Sequence, residues 1–140
     1  MPLSNPRSSV SLRGHPIHLL LAPVPAVCFV ATLVTDIVYW QTAAMLWADF
    51  SSWLVVVGVI FSVLTAIAGL VDSLRHRRVR EYRAAWVHGL ANTAVLVLSF
   101  FNALIHTRDA YTSVVPTGLI LSGLVVVLLI VTGVYAKEQT

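Results

Sequence analysis

The stretch Ser52–Leu74, SWLVVVGVIFSVLTAIAGLVDSL, decides the fold of this chain, because over its whole length it carries one charged residue, Asp72. A helix needs about 20 predominantly apolar residues to cross ~30 Å of hydrocarbon. Three further stretches have a similar length and character: Pro16–Trp40, Ala84–His106 and Val115–Ala136. Backbone groups inside lipid must satisfy one another, so runs like these are expected to be α-helices. Composition agrees, with 58% hydrophobic and 11% charged residues and a mean hydropathy of +0.86, far from a soluble domain. The expected architecture is all-α, an integral membrane four-helix bundle over residues 14–136. A disordered arm (1–13) precedes it and a short tail (137–140) follows. No room is left for a soluble catalytic domain.

Basic residues set the expected orientation. Arg75, Arg77, Arg78, Arg80 and Arg83 crowd the connection between the second and third spans, Arg7 and Arg13 lie in the arm, and Lys137 lies in the tail. The opposite side holds only Arg108, so the positive-inside rule places both termini and the basic loop in the cytoplasm. Aromatic residues fit that frame, with Tyr39, Trp40, Trp47 and Trp53 at one boundary and Tyr82 and Trp86 at the other. The apolar run after His18 exceeds a signal-peptide core and has no small-residue cleavage site after it, which argues against a cleaved leader. The single cysteine, Cys28, excludes an intrachain disulfide. The net charge of +3 is explained by topology and anionic headgroups rather than by nucleic acid.

Short connections, about Gln41–Ser51 and Thr107–Val114, predict an up-down-up-down bundle in which the first and third spans lie on a diagonal. Pro16 suits a first helical turn, while Pro23 and Pro25 predict a kink or a delayed start. On the third span His88, Asn92, Ser99, Asn102 and His106 share an arc of roughly 80° at helical spacing, a polar stripe expected to face the bundle interior. Gly58, Ser62, Thr65, Gly69 and Asp72 form a small, polar face on the second span, suited to close helix approach. The fourth span offers little beyond Ser122 and Thr132 and reads as packing.

Two clusters follow from these placements. Near the basic side, His15, His18, Asp72 and His88 come from three spans. Imidazole and carboxylate suit zinc, iron or manganese. Alternatively, His18 and His88 could ligate a haem b between diagonal helices, with Arg75 and Arg83 meeting its propionates and Asn92 close by. The same residues could equally bond one another and cap helix ends. At the other side Asp36 and His106 should share a depth, with Asn102 near them. Two ligands are too few for a metal, so a hydrogen-bonded pair is expected there. His88→Ala is expected to do more damage than His106→Ala. Serines sit in helices without a nucleophile elbow, so the chain does not read as an enzyme with its own nucleophile.

The motif GHPIHLLLAPVP (14–25), followed by AGLVD ending in Asp72 and HGLAN carrying His88 and Asn92, resembles the bacterial membrane family called domain of unknown function 2231. Its first helix looks like G-H-P-x-H-P-x-L-x-x-x-P, and the likeness runs from about Gly14 to Gly133. This chain has Leu19 where the family often has a second proline, and it lacks the Gly-rich ending of many relatives. The resemblance implies a four-helix domain in the bacterial inner membrane with His15, His18, Asp72, His88 and Asn92 as its polar motif residues. It also implies a redox setting, since relatives are often joined to Rieske or cytochrome-like modules. The expected function is therefore a haem- or metal-binding membrane protein in electron transfer, in contact with a redox partner protein. The alternatives are a scaffold subunit, as a homodimer or docked to a partner, and an ion or proton conduit.

Overall fold

The computed structural model describes residues 11–12, 15–75, 83–108 and 114–138. A short helix α1 (Ile17–Leu21) leads into α2 (Pro23–Thr42), followed by α3 (Met45–Arg75), α4 (Arg83–His106) and α5 (Leu119–Glu138). The last four supply four helices long and apolar enough to cross a membrane. Ser11–Leu12 pairs antiparallel with His15–Pro16, and the other described residues are helix and turn. Of the arm expected to be disordered, only Ser11–Leu12 is described, and it is paired; the rest of the arm, residues 76–82 of the basic loop and the end of the tail lie outside the described residues. Among the long helices, α2 and α4 each pack against both α3 and α5. That leaves α2 and α4 on the diagonal, as the short connections require.

Proline placement explains the broken first span. Pro23 and Pro25 have no N–H to give to the carbonyls of Leu19 and Leu21, so the ladder lapses at Ala22 and α2 starts at Pro23. Both prolines then fall in the first turn, where the missing donors cost nothing. A second boundary differs from expectation. The connection read as Gln41–Ser51 is only Ala43–Ala44, and α3 already runs from Met45. Asp49 and Ser51, inside the expected connection, and Ser52 beside it are all accommodated in helical register. Asp49 is exposed. Ser51 is buried against α2, and the Ser52 hydroxyl lies within reach of the Ala48 and His106 carbonyls, at 3.0 and 3.2 Å.

Ala43 makes the tight turn with a left-handed backbone (φ 54°), its N–H bonding the Tyr39 carbonyl at 2.7 Å. A Cβ in that region costs about 1–2 kcal/mol, and glycine is the usual residue there. Ala43→Gly is therefore expected to stabilise the bundle by about 1 kcal/mol, readable as a higher melting temperature in detergent. An unchanged or lower value would mean that the turn does not adopt this conformation.

Packing falls into layers along the bundle. Nearest the Ala43 turn, Tyr39, Ala48 and Val114 form a small apolar cluster, with Trp47 and Val115 against it. Val115, extended at φ −118° and ψ 125° as its following proline demands, lies in the π-helical turn Val114–Gly118 that opens α5. Deeper in the bundle, Phe29, Val55, Val95, Ala103 and Val125 form the main core. On α2 the buried positions Pro25, Cys28, Phe29, Thr32, Thr35, Asp36 and Tyr39 keep a helical stripe, in which Asp36 falls between the two apolar layers.

The far end of the bundle is open. No described α4 residue before Val95 is buried, and on α3 none between Gly58 and Asp72 is. Gly58 meets the Phe29 ring, whereas Gly69 and Gly89 have nothing within 4 Å of a would-be Cβ. The small face on α3 thus closes against α2 at Gly58 and not at Gly69. At this end α1 rests on α3.

Candidate functional site

Between the two apolar layers sits a ring of hydrogen bonds from three helices. Asp36 of α2, Asn102 and His106 of α4, and Ser122 of α5 are all buried, Asp36 completely. The Ser122 hydroxyl donates to Asp36 Oδ2 at 2.6 Å, and Asn102 Nδ2 donates to Ser122 Oγ at 2.8 Å. Asp36 Oδ1 meets His106 Nε2 at 2.9 Å, and His106 Nδ1 meets the Asn102 carbonyl at 2.9 Å. The circuit closes on itself.

The donors and acceptors around this circuit fix its protons. The Asn102 carbonyl only accepts, so Nδ1 must carry hydrogen. A neutral imidazole then has a bare Nε2, which needs a proton from Asp36. One proton therefore lies in the Nε2–Oδ1 contact, as imidazolium with carboxylate or as imidazole with carboxylic acid. Ser122 spends its single proton on Asp36, which requires the nitrogen of Asn102 and not its oxygen to face Ser122. The Asn102 Oδ1 atom is left with no partner, as is Ser99 Oγ one turn away on the same helix. Each such orphan costs about 1–3 kcal/mol when dry.

A second polar contact borders the ring. Thr35 Oγ1 lies 2.6 Å from Ser51 Oγ, 2.9 Å from the Thr32 carbonyl and 3.0 Å from the Ala31 carbonyl. A hydroxyl has one proton, so Thr35 gives its own to the α2 backbone and accepts from Ser51. This contact pins α2 to α3, while the ring ties α2 to α4 and α5.

Asp36 and His106 pair as the sequence predicted, with Asn102 beside them. The fourth span does more than the packing expected of it, since Ser122 is the donor to Asp36. The sequence signal was a serine at the register Gly118, Ser122, Val125, Thr132, all buried. Thr35 and Ser51 were missed as well. Their signal was weaker, a threonine beside Asp36 and a serine read as loop.

The α4 stripe needs correcting. Ser99, Asn102 and His106 are buried, whereas His88 and Asn92 are exposed. Eighteen residues make five whole turns, so His88 and His106 point in the same direction. Their environments differ, since among the described residues of α4 none before Val95 is buried. At that end Asp72 is buried and takes part in a polar interaction, and Arg75 is exposed. The side chains of His15, His18 and Arg83 lie outside the described residues. Among the described residues, no three His, Cys, Asp or Glu side chains gather as a metal site.

Residues 14–138 match the family described as "Predicted membrane protein (DUF2231)", and the chain belongs to that family. No curated protein and no solved structure matches it.

Proposed function

We propose that this membrane protein handles protons, with the Asp36–His106 pair as the group that takes one up and releases it. The observation that carries the reading is that both ring nitrogens of His106 face oxygen acceptors, so that the pair shares a proton. An ionisable pair held inside a membrane bundle marks an ion or proton site more often than it marks packing. The arginine-rich loop, taken as cytoplasmic, puts the pair toward the opposite water face. Proton transfer there would accompany charge movement across the bilayer.

A pH jump applied to proteoliposomes containing an indicator dye tests this reading. Asp36→Asn, which keeps the shape and most hydrogen bonds, is expected to take up one proton fewer per chain than the unmodified protein. Equal uptake in the two would exclude the pair as a titrating site.

A second reading is favoured by the burial of Asp72, the one buried residue of α3 after Gly58, with α1 packed alongside. That contact brings the His15–His18 segment to the helix carrying Asp72. His88 faces the open end from α4. We propose this end as the place for a haem b or a zinc, iron or manganese ion, serving electron transfer with a redox partner protein. His18 and His88 would be the ligands, and His15 and Asp72 would be ligands or orienting groups. An absorption spectrum and elemental analysis of the purified protein separate the outcomes. A Soret band or stoichiometric metal supports the site, and the absence of both removes it.

A further inference from the structure

Ser99 Oγ and Asn102 Oδ1 are the two buried side-chain polar atoms without a hydrogen-bond partner among the described residues. Both residues are almost wholly buried, at 0% and 2% exposure, which rules out bulk water as their partner. They are three residues apart on α4, so they share a face, with Cβ atoms about 5–6 Å apart. Two hydrogen bonds of about 2.8 Å meeting at one oxygen span such a gap. Asn102 cannot turn its amide over to relieve the orphan, because its nitrogen is committed to Ser122.

We propose that Ser99 and Asn102 hold an internal water one turn beneath the ring. The proposal rests on the reading of the ring as the working site. The water donates one proton to Asn102 Oδ1 and accepts from the Ser99 hydroxyl, supplying the two polar partners that a buried water needs. Its role follows from bond order around the circuit. Drawing on Oδ1 polarises the Asn102 amide, which strengthens the chain Nδ2 to Ser122 to Asp36 through successive hydrogen bonds. The water therefore tunes the proton-holding pair without touching it. Ser99 has no other link to the ring, which makes it a positioning residue.

Solid-state NMR of the protein in lipid bilayers reads both parts at once. Short-range magnetisation transfer from water is expected to reach the Asn102 side-chain amide and Ser99, and to be absent from the methyl groups of Val55 and Val125. In Ser99→Val, which fills the space and removes the hydroxyl, transfer to Asn102 is expected to be lost while the His106 ring nitrogens keep their hydrogen-bonded signature. No transfer to Asn102 in the unmodified protein, or undiminished transfer in Ser99→Val, overturns the proposal. A Ser99 hydroxyl found bonded to its own helix backbone beside a dry Asn102 amide overturns it equally. If Ser99→Val fails to fold, the unmodified protein still decides the matter. The dye measurement on Asp36→Asn reports the proton reading separately, so failure of the water site and failure of the pair are distinguishable.

Discussion

His106→Ala is expected to destabilise the bundle by about 3–5 kcal/mol, because it removes one member of a buried pair and leaves Asp36 with an uncompensated charge or an unmet proton. His88→Ala should stay within about 0.5 kcal/mol, since an exposed residue at the open end makes no comparable contact. This ordering reverses the one expected from the motifs alone. The reversal follows from burial, since His106 is buried and His88 is exposed. Melting temperatures of the two variants in the same detergent check it. Equal losses, or a larger one at His88, would mean that the open end closes in the membrane around His88. Asp36→Ala should match His106→Ala, and the double variant should lose far less than the sum, since both single changes break the same circuit.

Gly58→Ala is the second large effect. A Cβ at position 58 would lie 2.5 Å from Cε1 of Phe29 and 2.9 Å from Cδ1, closer than carbon atoms approach. The ring has little room to retreat, since Phe29 is buried in the core cluster with Val55 and Val95. Overpacking of this kind costs about 1–3 kcal/mol, and in lipid no hydrophobic driving force between helices offsets it. Adding Phe29→Leu to Gly58→Ala is expected to recover part of the loss by removing the ring that the new methyl strikes. If the double variant is no more stable than Gly58→Ala alone, the contact between α2 and α3 is not where it is placed here. Gly69→Ala, with open space around it, serves as the neutral comparison.

Much of this could be read from the chain. Spans as apolar as Ser52–Leu74 leave helix as the solution that satisfies the backbone in lipid, and Pro23 and Pro25 announced the kink or delayed start that the structure resolves as a break at Ala22. Matching depth on two helices that run parallel was enough to pair Asp36 with His106 across the diagonal. Three things resisted. The turn at Ala43 was hidden because polar residues such as Ser51 look like a loop until α2 is present to receive the serine. Ser122 was hidden because a serine in an apolar helix has no meaning until Asp36 stands opposite. The exposure of His88 was hidden because periodicity fixes the direction in which a side chain points, while neighbouring helices decide what it meets. Azimuth is local. Burial is not.

The central claim is that the Asp36–His106 contact holds a proton, and the ring nitrogens of His106 in a lipid bilayer test it most directly. The account predicts nitrogen-15 signals in which Nδ1 is protonated and Nε2 is hydrogen-bonded to Asp36 through one shared proton. Asp36→Asn should remove that shared-proton signature at Nε2 while leaving the Nδ1 signal in place. A neutral His106 with one ring nitrogen free of any hydrogen bond would contradict it.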